Sequence, residues 1–375
     1  MGRLYLHIGT PKTGTSMIQY FMAKNRKKII KKGYIYPNFG YEFEGIGRNR
    51  NAHFLVHKFF DENTNRLYDQ EKKLHTEGLQ LLLCELDKYE NVVLSDEHIW
   101  NGYQSIENFW ENLYQTLTEA GHELKVIVYL RRQDLYIQSY WAQQVKEVSK
   151  ESFAHYIDAK RYQKSHLHYA AELDKIAAVI GEENLCVRVY EKGQYYGGNG
   201  NLIEDFLHTI GLTLTDEYAV SKTVVNGSIS GDCLEVKRIL NQMPEFRAKK
   251  NFLIPIMQNV SAQEGRSSDY SRAACFAKGQ KEAFLKQYEM DNEITAKKYL
   301  HKESGILFED RKGLTDEESP KAYSKEELVL ACGEMLLEMQ NELEKSHGKI
   351  AELNQNMQNR LYKKLKAWKR RLLKK

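Results

Sequence analysis

Leu4-Tyr5-Leu6-His7-Ile8 runs directly into Gly9-Thr10-Pro11-Lys12-Thr13-Gly14-Thr15-Ser16, which is followed by Met17-Ile18-Gln19-Tyr20-Phe21-Met22. The first stretch is apolar enough for a buried strand. The second is a tight loop bounded by glycines, and the third places Met17, Ile18, Phe21 and Met22 at helical spacing. A strand, a glycine loop and a helix in that order make an anion site, because backbone amides at the helix start point outward and glycine lets a phosphate come close to them.

The two glycines have the spacing of G-x-x-x-x-G-K-[ST], with Ser16 at the hydroxyl position, but the lysine is missing from position 15 and stands at 12. That displacement separates two chemistries. A lysine after the second glycine reaches β- and γ-phosphates while the next hydroxyl holds Mg²⁺; a lysine before it sits nearer a two-unit phosphosulfate. ATP hydrolysis is thereby disfavoured.

Outward from the loop, apolar runs at 92–94 and 126–130 read as interior parallel strands, with polar breaks only at their C-terminal ends. Helical patterns occupy 78–88, 106–120 and 135–148, a further strand 185–190, a glycine-rich turn 195–200 and a helix from Leu202. Residues 33–70, rich in Gly, Asn and aromatics, read as irregular structure lining a surface. Residues 220–320 read as mostly helical, most clearly at 279–300, and Ser324 with Glu327 makes a capping box for one long final helix. Alternation of strand and helix predicts an α/β fold: a P-loop-NTPase-like three-layer architecture with a central parallel sheet, helical additions and a long C-terminal helix. The predicted division is a domain over 1–320 and a helical arm over 321–375.

Of the 375 residues 42% are apolar and 28% charged, ordinary values for a chain with a sizeable core. The net charge of +4 is unevenly placed: Arg360 to Lys375 holds nine basic residues and no acid, so the body is mildly acidic and the tail strongly basic. Five widely spaced cysteines without a C-x-x-C pair suggest neither zinc nor redox work and fit a reduced compartment. No charged leader with a long apolar stretch opens the chain, and no segment approaches the ~20 apolar residues of a membrane span. A cytoplasmic protein is expected, with no nucleic-acid partner, because the body is acidic and carries no recognition motif.

Pro11-Lys12-Thr13-Gly14-Thr15-Ser16 resembles the 5′-phosphosulfate loop of the sulfotransferase superfamily, P-K-[ST]-G-T-[ST]. A second match follows the run at 126–130, where Arg131 is succeeded eight residues on by Ser139. In that family such a pair grips the 3′-phosphate that distinguishes the donor 3′-phosphoadenosine 5′-phosphosulfate (PAPS) from ATP; arginine offers a fork of donors and serine another. Val225-Asn226-Gly227-Ser228-Ile229-Ser230 and the segment from Asn292 to Leu300 look like stretches of bacterial carbohydrate-type sulfotransferases, and Arg311-Lys312-Gly313 is similar to a cofactor-binding triplet of the cytosolic ones. The resemblance covers roughly 1–310 and implies a metal-independent transferase acting on a hydroxyl or amine of a glycan or glycolipid. It further implies Lys12 on the leaving phosphate and a base just after the strand at 92–94. There Ser95-Asp96-Glu97-His98 offers Glu97 and His98. Glu97 is preferred, since bacterial relatives end this strand with a Ser-x-Glu-like pattern, while His98 has an ordinary pKa suited to neutral pH. His53, in Asn49-Arg50-Asn51-Ala52-His53, is a third candidate, in a stretch resembling an acceptor-binding loop.

In the arm, Leu336, Met339, Leu343, Ile350, Leu353 and Met357 fall at heptad a and d spacing, with Ser346 in the gap, so that a homo-oligomer is one expectation. Beyond them Leu361, Leu365, Trp368 and Leu372 form a stripe among Lys and Arg, which reads as an interfacial helix on an anionic membrane surface. Rival readings are a nucleotide kinase of the same fold and a non-catalytic scaffold working through its coiled-coil arm.

Overall fold

β1 (Arg3–His7) is the middle strand of a five-stranded parallel sheet in the order β2-β3-β1-β4-β5, with β2 at Tyr34–Ile35, β3 at Asn91–Ser95, β4 at Glu123–Leu130 and β5 at Leu185–Val189. The computed structural model describes residues 1–220, 229–263, 276–277, 279–310 and 322–372, with side chains as far as Gln358 and at Arg360. The principal helices are α1 (Thr15–Lys24), α2 (Tyr68–Lys88), α3 (Phe109–Glu119), α4 (Gln133–Glu147), α5 (Tyr169–Ile180), α6 (Leu202–Thr209), α7 (Gly231–Leu240), α8 (Lys250–Ser261), α9 (Glu289–Leu300) and α10 (Lys325–Leu372). Contacts gather the chain into two units: Met1–Trp141 with Ser152–Asn226 and Ala274–Pro320, and Ala142–Glu151 with Gly227–Ala273 and Lys321–Lys375.

The first unit contains the whole sheet. Its strands are nearly all-apolar because both faces are covered. Tyr5, Val93, Ile127 and Tyr129 face Ile18, Phe21 and Met22 of α1 and Leu202, Phe206 and Leu207 of α6 in one core. Alternating with them, Leu4, Leu6, Val92, Leu94, Val126 and Val128 are also fully buried, as are Leu82 of α2 and Leu117 of α3. This is the three-layer α/β architecture that the strand and helix pattern predicts. Register aligns the strand ends: His7 of β1 pairs with Ser95, the last residue of β3, and with Ile127 of β4, which runs three residues further to Leu130. The C-terminal ends of β3, β1 and β4 thus lie side by side, where open parallel sheets bind ligands.

Local departures from the sequence pattern have physical causes. β2 lies inside the stretch read as irregular; it is two residues long and has no alternation to betray it. α2 begins ten residues before Gly78, and its interior takes a glycine there because the Phe54 ring fills the space a side chain would need: a Cβ would stand 2.2 Å from Phe54 Cδ2. The pattern at 279–300 splits into Gln280–Lys286 and α9, broken at Gln287 and Tyr288.

In the second unit, Asn241 of α7 donates to the carbonyls of Val145 and Ser149 at 2.7 and 2.8 Å. α10 opens with the capping box its sequence encodes: Glu327 N donates to Ser324 Oγ at 3.1 Å and Ser324 N to Glu327 Oε2 at 2.8 Å. Its first turns bury Ala331 and Met335, and Asn259 of α8 donates to Glu338 Oε1 at 2.9 Å. Residues 225–228, Arg311-Lys312-Gly313, the 320/321 boundary and the side chains of Leu361, Leu365, Trp368 and Leu372 lie outside the described residues. Among the described residues no helix is long and apolar enough to cross a membrane.

Candidate active site

The loop between β1 and α1 is laced to the end of β4. Thr10 donates both its amide and its Oγ1 to Tyr129 O, at 2.9 and 3.0 Å, and Tyr129 N donates to Gly9 O at 2.6 Å. Thr13 Oγ1 donates to Thr10 O at 2.6 Å, closing the turn around buried Pro11. Gly14 caps α1 at φ 76°, and a Cβ on it would lie 2.4 Å from Leu202 Cδ2 and 3.3 Å from Tyr190 Cε2. Conformation and space both demand glycine there. Lys12 holds φ 69°, a left-handed backbone that costs a lysine on the order of 1–3 kcal/mol and concentrates at functional loops. At the start of α1, Thr15 is buried with no hydrogen-bond partner for Oγ1, and Ser16 is half-buried beside it.

Arg131 follows β4 directly. Its Nη1 donates to Lys12 O at 2.6 Å, its guanidinium lies 5.6 Å from the centroid of the Tyr190 ring, and its own carbonyl accepts from Tyr169 Oη at 2.6 Å. Arg132, by contrast, is buried and forks onto Asp134 at 2.7 and 3.0 Å, a contact that fixes the start of α4. Ser139 is half-buried on α4, eight residues past Arg131. Asn292, in the segment singled out on α9, exchanges hydrogen bonds with Gln133 at 2.7 and 3.2 Å, so it braces the same helix start.

On the other side of β1, the end of β3 carries a charge cluster. Asp96 is fully buried and accepts from Arg50 Nε at 2.9 Å, Arg50 Nη2 at 2.5 Å and His98 N at 2.7 Å, with His53 Nδ1 3.0 Å away. Burial alone would raise this carboxyl; the Arg50 charge and the hydrogen bonds from His53 and Arg50 outweigh it and hold Asp96 well below the ordinary carboxylate range. Glu97 takes Gln19 Nε2 from α1 on Oε2 at 3.1 Å and has Arg50 Nη1 3.6 Å from Oε1. Burial pushes its carboxyl up, Arg50 opposes, Asp96 adds, and the balance stands above the ordinary value. A Cβ on Gly9 would sit 3.2 Å from Glu97 Cα and Cβ, so glycine lets the candidate base press against the loop.

His98 stands exposed at the rim, 3.4 Å from Arg50 Nη1, where partial loss of solvent around the ring and then the Arg50 charge lower its proton affinity. His53 is buried between Asp96 and His57, whose Nδ1 lies 3.2 Å from His53 Nε2. Of the three candidates only Glu97 is bonded to α1 and packed on the loop. His53, Asp96 and His98 each place a donor atom within 4.8 Å of the others, a spacing that suits a metal ion. Both Asp96 oxygens are already held by the Arg50 fork, and a cation there would face the guanidinium at close range.

The stretch 36–55 brings Arg50 and His53 to this place. Tyr36 Oη donates to Asn49 O at 2.6 Å, and Asn51 accepts from Ser95 N at 2.8 Å while donating to Val93 O at 3.1 Å. A cavity of about 200 Å³ lined by Tyr41, Phe43, Ile46, Arg48 and Arg50 opens beside the cluster. Nothing in the sequence pattern marks Asp96 or Gln19 for this cluster, and for Arg50 the signal is the polar triplet Asn49-Arg50-Asn51 beside His53.

No family model matches the chain. It is similar to an uncharacterized protein of Archaeoglobus fulgidus, 26% identical over 182 residues, which is 47% of this chain and 46% of that protein; the chain therefore spans about half the length of the curated relative it matches. Among solved structures, the crystal structure of a sulfotransferase from Alicyclobacillus acidocaldarius aligns with a TM-score of 0.35 and 15% identity, covering 67% of this chain and 95% of that one.

Proposed function

We propose that this chain is a sulfotransferase that moves a sulfuryl group from PAPS to a hydroxyl or amine of a glycan or glycolipid acceptor. One observation carries the reading: Arg131 Nη1 donates to Lys12 O, so the two motifs of the sequence resemblance, 119 residues apart, meet at the ends of adjacent strands.

The residues present fit the donor. Thr15 Oγ1, at the start of α1, is a buried hydroxyl left without a partner, and Gly14 supplies the left-handed turn into that helix where packing against Leu202 leaves no room for a side chain. In this reading Lys12 and the amides of Thr13 to Ser16 hold the phosphosulfate, and Arg131 with Ser139 holds the 3′-phosphate. When bound, PAPS supplies an activated sulfuryl group on a good leaving phosphate. Lys12 offsets negative charge gathering on that leaving oxygen, a contribution that typically amounts to about 10²- to 10³-fold in rate. Glu97 receives the acceptor's proton at its carboxylate; the raised proton affinity that burial gives it suits a general base. Gln19 and Arg50 fix its orientation. The cavity between Tyr41, Phe43 and Arg48 takes the acceptor, its aromatic faces and polar edges suited to a sugar.

The kinase reading is weaker because Thr15 occupies the position where a γ-phosphate lysine would stand. Calorimetry separates the two. Adenosine 3′,5′-bisphosphate should bind tightly without Mg²⁺ and far better than adenosine 5′-phosphate; a requirement for Mg²⁺, with no preference for the 3′-phosphate, would overturn the proposal.

A further inference from the structure

α10 continues well past the turns that bury Ala331 and Met335, and one apolar stripe on it is left in water. Leu336, Leu343, Ile350 and Met357 recur every seven residues, with Met339, Ser346 and Leu353 at the intervening positions. Leu336, Leu343, Ile350, Leu353 and Met357 are between 55% and 67% exposed, although a strict heptad seam of this kind stabilises a helix only when another helix covers it. From Leu336 to Met357 the stripe runs roughly 32 Å at 1.5 Å per residue.

We propose that this stripe pairs with the same stripe of a second copy of the chain, antiparallel, with Leu336 opposite Leu353, Met339 opposite Ile350 and Leu343 opposite Ser346 of the second copy. The flanking charges select that partner and that offset. Glu342 and Lys349 lie seven residues apart on the same edge of the seam, and both are exposed or half-exposed. In the proposed offset Glu342 of each copy meets Lys349 of the other, so one twofold axis generates two opposite-charge pairs. Parallel pairing in register would set Glu342 against His347 and Lys349 against Asn354, without a carboxylate-ammonium pair. The antiparallel offset one heptad further along would set Lys349 against its own copy and Leu336 against Arg360. Within its own helix Glu342 already holds Lys345 at 2.8 Å, a solvent-exposed contact that leaves it open to a second cation. The edge is complementary to itself, the property a homodimer requires and a foreign partner does not.

Sedimentation equilibrium on the full chain at micromolar concentration tests this. Wild type should weigh twice the chain mass, and Leu343→Glu with Ile350→Glu should weigh one chain mass while keeping the circular dichroism of the native protein. Lys349→Glu should weaken the dimer about tenfold, since two attractions become repulsions, and adding Glu342→Lys to it should restore wild-type affinity. A wild type that remains monomeric at tens of micromolar, including one that sediments instead with anionic vesicles, overturns the proposal. So does a dimer indifferent to the glutamates in the seam, or a Lys349→Glu defect that the reciprocal change fails to rescue.

Discussion

Replacing Asp96 with asparagine keeps the shape of the side chain and removes the buried charge on which the cluster is built. Asp96 is fully buried, and its two oxygens accept from Arg50, from His98 N and from the His53 side. Deleting one partner of such a pair leaves the other charge buried and uncompensated, a loss of about 3–5 kcal/mol. Glu97 remains 3.6 Å from Arg50 and recovers part of it, so a cost near 3 kcal/mol at pH 7 is expected. The pH dependence follows from the depressed carboxyl. A group whose folded pKa lies below its unfolded one stabilises the fold above the unfolded pKa and loses that stabilisation as pH falls below it. From pH 7 to pH 3 the wild type should therefore give up about 1 kcal/mol that the variant never had. Urea unfolding of both proteins at pH 7 and pH 3 measures this: the gap between them should narrow by that amount. A gap that stays constant, or one below 1 kcal/mol at pH 7, refutes the account of Asp96 as the anchoring charge.

Lys12→Ala should lower turnover about 10²- to 10³-fold in a sulfate-transfer assay, and near-normal turnover would sink the proposed role. Arg131→Ala should weaken adenosine 3′,5′-bisphosphate by roughly 1.5–3 kcal/mol in calorimetry and leave adenosine 5′-phosphate much less affected; equal losses for both would refute the 3′-phosphate assignment. Glu97→Gln keeps the hydrogen bond from Gln19 within reach but cannot take a proton, so kcat should fall about 10²- to 10⁴-fold while nucleotide affinity stays unchanged. If His98→Gln shows the larger loss, the base is at the rim of the cluster.

The loop and the strands beside it were legible as structure because their constraints are local. Two glycines and a displaced lysine within six residues mark the loop and with it β1, and two apolar runs with polar C-terminal breaks mark β3 and β4. Their side-by-side order was not legible, since nothing in a strand's own residues says that β1 inserts between β3 and β4. Arg50 shows the same limit: it meets its carboxylate 46 residues away only because Asn51 stitches its loop to the end of β3. Gly78 misled for the opposite reason. A glycine ahead of an apolar run looks like a helix start, and the ring of Phe54 that calls for a glycine inside the helix comes from a distant turn. Beyond β2, the stretch 36–52 shows no period because side-chain hydrogen bonds such as Tyr36 to Asn49 hold its backbone.

The lacing of Thr10 and Gly9 to Tyr129 bears on kinetics as well as geometry. Tyr129 is fully buried and its hydroxyl is pinned by Asp205 at 2.6 Å, so the loop cannot swing open without pulling the end of β4 out of the core. Motions of that size belong to the slow end of the opening spectrum, close to global unfolding. If the proposed reading holds, an anion arriving at Gly9 to Gly14 meets a finished receptacle: little ordering entropy is then lost on capture, arrival is set by diffusion and charge, and the residence time rests on the contacts made rather than on a gate.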